Sequence, residues 1–281
     1  MKEKIQTASL SVLSNTLLIT MKLIVGIISK SVSILSEAIH SSLDLIAAII
    51  AFFSVRISDN PPDKVHPYGH GKIENISGVV EGILILVAAG WIITEAAKRL
   101  SHPGELEALG WGTAVMAVSA IVNLFVSRQL YKTAKKTDSI ALEADALHLK
   151  TDVYTSVGVC AGLLLMWITK LYWLDPIIAI AVALLIIKES VVLMKNAFAP
   201  LVDTSLSDEE VSVIREIVKK HSLQLHSLKT RKSGSYRFAD FHLEMQGTVP
   251  LETAHLTCDI IENEIKEQIR NIELTIHVEP V

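Results

Sequence analysis

Two pairs of residues with metal-binding side chains occur in the sequence at the same spacing. His40 and Asp44 form the first pair, and His148 and Asp152 form the second. Residues four positions apart on a helix lie one above the other, so each pair presents an imidazole and a carboxylate to one point. Two such faces turned toward each other would supply two nitrogen and two oxygen ligands. That donor set suits a tetrahedral divalent ion such as zinc.

Both pairs lie inside long apolar segments of the chain. An ionisable group at the centre of a membrane helix costs about 2.5–3.5 kcal/mol on insertion scales, so such groups are rare there and usually functional. One pair alone is also compatible with a structural hydrogen bond between two helices. The repetition of the spacing in two segments favours a metal site within a membrane.

The composition of the chain also indicates a membrane protein. Half of its 281 residues (50%) are hydrophobic and the mean hydropathy is +0.43, which is too apolar for an ordinary soluble protein. The sequence contains no basic run with interleaved aromatic residues, so it gives no indication of a nucleic-acid partner. Cys160 and Cys258 lie in different regions and form no motif, which favours buried thiols that act as small apolar groups.

Six segments of about twenty or more mostly apolar residues predict six transmembrane helices in a lipid bilayer. The first segment is amphipathic and should face protein on one side. The fifth carries Glu143, Asp145 and Lys150, so it should lie inside the bundle, although the sequence indicates no partner for Lys150. The segments are roughly 8–29, 33–57, 73–99, 108–130, 140–169 and 172–195.

Lysine and arginine collect on one side of this six-helix topology, which predicts that both termini are cytoplasmic. An even number of spans agrees with that prediction, because it places both ends of the chain on the same side. The basic residues on that side are Lys2, Lys4, Arg56, Lys64, Lys72, Arg128, Lys132, Lys135 and Lys136.

The composition becomes polar after about Pro200, so we predict a membrane domain over 1–200 and a cytoplasmic domain over 201–281. Ser207 and Glu210 have the spacing of a capping box, which predicts the start of a helix.

Two alternating runs follow this helix, over 223–231 and 236–246, and each predicts a strand. Pro250 is suited to begin a second helix, and the alternation over 272–279 predicts a last strand. The order αββαβ predicts a small sheet with helices on one face.

These features together resemble the cation diffusion facilitator family of divalent-metal/proton antiporters, over the whole chain. The resemblance rests on the two His-x-x-x-Asp pairs, on the loop HPYGHGKIE from His66 to Glu74, and on the histidine-containing C-terminal domain. It implies a membrane all-α bundle of six transmembrane helices plus a C-terminal cytoplasmic α+β domain similar to metallochaperones. It also implies a homodimer in the inner or plasma membrane that exports Zn²⁺ in exchange for protons.

The resemblance assigns the transport site to His40, Asp44, His148 and Asp152. The combination of two histidines and two aspartates resembles the zinc-type branch of the family. Imidazole in place of a carboxylate disfavours harder ions such as Mn²⁺. Iron, cadmium, cobalt and manganese remain alternative cargoes.

Two further metal sites are implied by the resemblance. Asp63, His66 and His70 match a site in the loop between the second and third spans, for which a solvated loop is the alternative. The second of these sites lies in the cytoplasmic domain, and its Glu279 stands where many members of the family have aspartate. The alternative is that the histidines of this domain bind no metal and that the domain serves dimerisation alone. The residues that match that site are His226, His242, His255, His277 and Glu279.

Two rival functions belong to other classes of protein. An intramembrane metalloenzyme needs an open coordination position and a general base, whereas this sequence offers four protein ligands and no HExxH motif. The second rival is a metal sensor that transports nothing. Six membrane spans with charged residues inside them argue against a sensor.

Overall fold

The described part of the chain contains six long helices, followed in the sequence by a unit with a small sheet. The structure, a computed structural model, describes residues 2–29, 32–101, 111–169 and 173–281. The predicted starts of the fourth and sixth spans, at 108 and 172, lie outside the described residues, as does the side chain of His40. The long helices in the described part contain 25 to 30 residues each. They are α1 (Lys2–Ser29), α2 (Val32–Ser58), α3 (Lys72–Ser101), α4 (Trp111–Thr137), α5 (Ile140–Thr169) and α6 (Leu174–Phe198).

The chain divides into two compact units, Met1–Ala197 and Phe198–Val281. Three helices within the described residues are long and apolar enough to cross a membrane by length and composition alone. These stretches are Lys2–Ile28, Lys72–Lys98 and Pro176–Val202.

The first helix buries its polar side and exposes its apolar side. Ser11, Asn15 and Lys22 are 0%, 3% and 5% exposed, whereas Leu17 and Ile24 are 61% and 53% exposed. This is the reverse of the pattern in a soluble protein, and it suits a helix with lipid on one side and protein on the other. The amphipathic arrangement predicted for the first span is confirmed.

Helix α5 lies in the interior of the first unit. Its residues Ala141 and Leu142 pack in a cluster with α1, α2 and α4, whereas Ala144 packs with Ile85 of α3 and Ile186 of α6. Small residues allow the neighbouring backbones to approach closely, as is typical of helix packing in membranes. The interior position predicted from the charges of the fifth span is confirmed.

Glu74 joins four segments of the first unit through buried hydrogen bonds. Lys4 Nζ of α1 donates to Glu74 Oε1 and to Asp59 Oδ1, each at 3.0 Å. Ser58 of α2 donates to Glu74 Oε1 at 2.7 Å, and Ser139, just before α5, donates to Glu74 Oε2. Lys4 and Glu74 are only 4% and 1% exposed. Removal of one partner from a buried ion pair leaves an uncompensated charge, so this network holds the helix ends together.

The second unit has the order αββαβ that the sequence predicts. A short 3₁₀ helix over Ala199–Val202 precedes it. Ser207 Oγ accepts from the N–H of Glu210, and Glu210 Oε2 accepts from the N–H of Ser207, so the predicted capping box is confirmed. The elements are α7 (Asp208–Lys220), β1 (Gln224–Ser233), β2 (Tyr236–Met245), α8 (Leu251–Gln268) and β3 (Ile272–Pro280).

One face of the three-stranded sheet packs against α7 and α8. The strand order is β1-β2-β3, with β1 antiparallel and β3 parallel to β2. Phe241 and Leu243 of β2 are buried in one core with Ile214 of α7 and Ile261 of α8. Because successive side chains of a strand point to opposite faces, His242 lies on the other face.

The register of the sheet places three histidines side by side on that face. His226 pairs with His242 across β1 and β2, and His242 pairs with His277 across β2 and β3. Glu244 pairs with Glu279 one step further along the same face. Histidines and carboxylates that were far apart in the sequence therefore become neighbours.

A β-bulge in β1 allows this arrangement. The pairing with β2 shifts between His226 and Lys229, and Ser227 has a positive φ of 53°. Leu225 and Leu228 are three residues apart, yet both pack against the core. The extra residue of a bulge reverses the alternation of the strand, so both leucines point inward while His226 points outward.

Replacement of Glu74 tests the buried network in the first unit. Glu74→Ala leaves the Lys4 ammonium without one of its two carboxylates, so we expect a loss of about 3–5 kcal/mol in the free energy of unfolding. Denaturant titration of the purified protein in detergent measures that loss. Glu95→Ala in the same helix removes an ion pair with Lys98 that is largely exposed (3.8 Å) and should have a much smaller effect. Equal losses in the two variants would contradict this account.

Candidate metal centres

The two membrane motifs meet where α2 and α5 pack together. His148 Nε2 of α5 donates to Asp44 Oδ1 of α2 at 3.1 Å. The two side chains are 12% and 7% exposed. A carboxylate and an imidazole from different helices therefore lie at one interior point.

The hydrogen bond to Asp44 determines what His148 can still bind. A neutral imidazole that donates through Nε2 keeps a lone pair on Nδ1. His148 Nδ1 is buried and has no hydrogen-bond partner in the part of the chain that the structure describes. That nitrogen can therefore take up the proton, which frees the Nε2 lone pair that faces Asp44 for a metal ion.

Asp152 lies one turn after His148 and contacts a third helix. Its Oδ2 accepts a hydrogen bond from Asn123 Nδ2 of α4 at 3.1 Å. Asn123 is 6% exposed. A group that donates to a carboxylate without competing for its remaining lone pairs orients it for a ligand. Sequence reasoning missed Asn123, although an amide between Val122 and Leu124 was a visible signal.

Lys150, for which the sequence indicated no partner, faces α6. Its Nζ lies 3.1 Å from Glu189 Oε2 and 5.0 Å from the centre of the Tyr154 ring. The ion pair links the two helices and neutralises the charge of the lysine.

The loop between α2 and α3 brings a carboxylate and two imidazoles together. His66 Nδ1 lies 3.5 Å from Asp63 Oδ1, and His70 Nε2 lies 3.4 Å from Asp63 Oδ2. Tetrahedral zinc with ligands at about 2.0–2.1 Å separates its ligand atoms by roughly 3.3 Å. Gly69 has a φ of 78°, a conformation that glycine adopts without steric cost and that turns the chain back between the two histidines.

Asp63 also orders the loop through its backbone. Its Oδ1 accepts from the N–H of His66 at 2.6 Å and from the N–H of Val65 at 2.8 Å. The hydrogen bond from His66 is the main reason why the pKa of Asp63 lies below its usual value. The carboxylate therefore stays ionised to lower pH than an ordinary aspartate, which favours cation binding.

A second cluster of ligand atoms lies on the outer face of the sheet. Glu279 Oε2 is 3.1 Å from His226 Nε2, and Glu279 Oε1 is 2.8 Å from His242 Nδ1. Atoms of these three residues lie within 4.8 Å of one another. His277 Nε2 is 3.6 Å from Glu279 Oε1, at the edge of the same group.

The two remaining features of this surface differ from the sequence-based expectation. The side chain of His255 on α8 is 74% exposed, and its Nε2 lies 3.7 Å from Asp259 Oδ2 rather than beside the strand histidines. Glu244, which the sequence did not single out, lies 3.6 Å from His226. It stands two residues after His242 on the same strand, so the alternation of β2 could have identified it.

Comparison with known proteins identifies the family. The family described as the cation efflux transmembrane domain matches residues 8–202, and that described as the cation efflux protein cytoplasmic domain matches residues 206–281. The chain belongs to the cation efflux family. The cation-efflux pump FieF of Shewanella oneidensis is 31% identical over 276 residues, which are 96% of this chain and 92% of that protein. The transporter sll1263 of Synechocystis sp. is 35% identical over 257 residues, or 90% and 83% of the two chains.

A solved structure of CzrB, described as a zinc transporter, is 40% identical to part of this chain. The match covers 27% of this chain and 98% of that one, with a TM-score of 0.26.

Membership in the cation efflux family confirms the resemblance and the fold class predicted from the sequence. The protein is an integral membrane transporter that exports divalent metal cations, and it is not an enzyme. The metalloenzyme alternative is thereby excluded.

Replacement of His242 tests the cluster of ligand atoms on the outer face of the sheet in the second unit. Zinc at a hundredfold excess over its dissociation constant stabilises a folded site by about 2.7 kcal/mol. We expect His242→Ala to lose most of that stabilisation, measured as the zinc-dependent shift in thermal unfolding of the full-length chain.

His221→Ala is the matched control for this prediction. His221 Nε2 bonds to Glu264 Oε1 at 3.0 Å, outside the cluster. The control should keep the zinc-dependent shift of the wild type. A shift retained in full by His242→Ala would exclude His242 as a ligand.

Proposed function

We propose that the protein exports zinc from the cytoplasm in exchange for protons, with His40, Asp44, His148 and Asp152 as the transport site. The observation that carries this proposal is the 3.1 Å contact between His148 Nε2 and Asp44 Oδ1. It joins the two motifs across the interface of α2 and α5. Asp152 lies four positions after His148 on α5, so it can reach the same point. His40 is included because it stands four positions before Asp44 in the sequence, at the spacing of the second pair.

Zinc is the cargo that the donor set favours. Two imidazoles and two carboxylates suit a borderline ion in tetrahedral geometry. Iron, cadmium, cobalt and manganese are the alternatives within the same class of transporter. The harder ions among them would prefer more oxygen ligands than this site offers.

Competition for lone pairs would couple zinc to protons. A protonated imidazole has two N–H groups and no lone pair, so His148 cannot hold a proton and zinc through the same nitrogen. Free histidine titrates near pH 6.5, within the range over which cells maintain proton gradients. A site that faces the cytoplasm would bind zinc and release protons, and a site that faces outward would do the reverse.

We further propose a homodimer in the cell membrane with both termini in the cytoplasm. The excess of lysine and arginine on the side of the termini supports this orientation. The second unit is small, with fewer than 90 residues over Phe198–Val281, and association would add to its modest core.

The cytoplasmic unit is proposed to sense zinc rather than to carry it. His226, His242, His277 and Glu279 belong to three neighbouring strands, so a bound ion would tie these strands together. His255 lies on α8, which packs on the other face of the sheet, so its role as a ligand stays a prediction from the sequence. Binding that favours one arrangement of the dimer would adjust transport to the zinc concentration in the cytoplasm.

Zinc flux in proteoliposomes tests the transport site. Removal of a residue that only hydrogen-bonds to a metal ligand costs about 10–100-fold in metal affinity or activity. We therefore expect loss of a ligand itself, in Asp44→Ala or Asp152→Ala, to reduce flux at least about a hundredfold. Radioactive zinc uptake, driven by separately set internal and external pH, measures the flux.

Glu95→Ala, which removes a carboxylate near the exposed end of α3, serves as the folded control and should transport zinc at the wild-type rate. Wild-type flux in either aspartate variant would overturn the proposed site. Flux that responds to a zinc gradient but never to a pH gradient would overturn the proton coupling.

A further inference from the structure

Two fully buried carboxylates in the first unit are not among the proposed zinc ligands. Glu81 of α3 and Asp145 of α5 are both 0% exposed. Glu81 Oε1 accepts a hydrogen bond from Ser77 Oγ at 3.1 Å. Glu81 Oε2 and both oxygens of Asp145 have no hydrogen-bond partner among the described residues.

Buried carboxylates of this kind require a positive charge or a proton. An ionised carboxylate removed from water without hydrogen bonds or a counter-ion costs several kcal/mol. Two of them that interact repel each other in addition. A cation that binds between or beside Glu81 and Asp145 removes both penalties.

The groups that face the pair connect it to the transport site. Asp145 interacts electrostatically with His148 of its own helix and with Asp44 of α2, and Glu81 interacts with Asp145 and His148. From α1, Ser11 Oγ faces Asp145 without reaching hydrogen-bonding geometry. The His148 ring forms its ion pair with Asp44 rather than with either member of the pair. The pair is therefore a neighbour of the zinc ligands and not one of them.

The geometry favours a proton over a metal ion at this position. Neither Glu81 nor Asp145 joins a group of three potential ligand atoms within 4.8 Å anywhere in the described ranges. A divalent ion needs four or more ligands, whereas a proton needs one carboxylate oxygen and gains from a second acceptor nearby.

We propose that Glu81 and Asp145 hold protons that the protein exchanges for zinc in addition to those that zinc displaces from its ligands, which rests on the proton coupling proposed above. The 2+ charge of zinc at His148 and Asp44 stabilises the ionised form of the neighbouring carboxylates, so zinc binding expels a proton from the pair. Departure of zinc restores the penalty of two buried negative charges, and a carboxylate oxygen takes up a proton again. No bond other than O–H is made or broken.

Helix α3 offers a path for these protons. Ser77, which donates to Glu81, lies one turn from it toward the start of the helix. Glu74, a further turn away, bonds to Ser58 and Ser139 at the end of the bundle. The side chains of Glu74, Ser77 and Glu81 thus form a series of carboxylate and hydroxyl groups along α3, from the start of the helix to the buried carboxylate pair.

Three measurements on the full-length protein in proteoliposomes test the proposal. They are equilibrium zinc binding, zinc–zinc exchange at equal pH, and zinc flux driven by a pH gradient alone. In Asp145→Asn and in Glu81→Gln we expect zinc binding and exchange within about threefold of the wild type. We expect pH-driven flux to fall about tenfold or more, because the neutral amides carry no proton. Asp145→Glu, which keeps an acid, should retain the pH-driven flux.

Glu143→Gln on the same helix is the matched control, because Glu143 pairs with Lys135 at 3.0 Å outside the buried pair. It should resemble the wild type in all three measurements. Flux driven by pH within twofold of the wild type in both amide variants would overturn the proposal. An equal loss of binding, exchange and pH-driven flux would also overturn it, since that pattern marks a structural role.

Two readouts on the wild type complete the test. Zinc added at constant pH should remove the infrared C=O band of a buried protonated carboxyl group, and an unchanged band would overturn the proposal without any variant. A wild type that exchanges zinc but shows no pH-driven flux would instead overturn the proton coupling itself. The first result concerns the pair, and the second concerns the proposed function.

Discussion

The burial of ionisable groups is the constraint on which the first unit depends. Asp44 and His148 meet in the interior of a bundle whose outer surface exposes leucine and isoleucine. Such groups are stable there only when each one has a partner of opposite charge, a hydrogen bond, a proton or an ion. Lys4 and Glu74 bond to each other within the protein, whereas Glu81 and Asp145 have carboxylate oxygens without hydrogen-bond partners among the described residues. We attribute stability to the first group and ion exchange to the second.

In the second unit the candidate ligands lie at the surface of a sheet rather than inside a helix bundle. One face of the sheet packs on α7 and α8, and the strand register leaves His226, His242 and Glu279 on the other. Ligands on a rigid sheet keep their spacing, and the exposed position lets zinc reach them from water. In the first unit Asp44 and His148 of the proposed transport site are therefore buried, whereas the proposed sensing ligands of the second unit are partly exposed.

Much of the fold follows from patterns that are local in the sequence. The long helices of the first unit follow from runs of mostly apolar residues, and the capping box at Ser207 marks the start of α7. What could not be predicted depends on packing between distant segments. The bulge at Ser227 reverses the alternation of β1 for one residue, and nothing in the composition of the strand indicates it. The partner of Lys150, and the lack of a hydrogen bond to the Asp145 carboxylate within the described ranges, likewise appear only when the helices are assembled.

Zinc X-ray absorption spectroscopy tests the central claim most directly. The sample is full-length protein with the loop and cytoplasmic clusters removed by Asp63→Ala and His242→Ala, loaded with one zinc ion per protomer. The account predicts four nitrogen and oxygen ligands at about 2.0–2.1 Å, with the multiple scattering of two imidazoles. Six oxygen ligands, or a spectrum without imidazole scattering, would contradict a transport site made of two histidines and two aspartates.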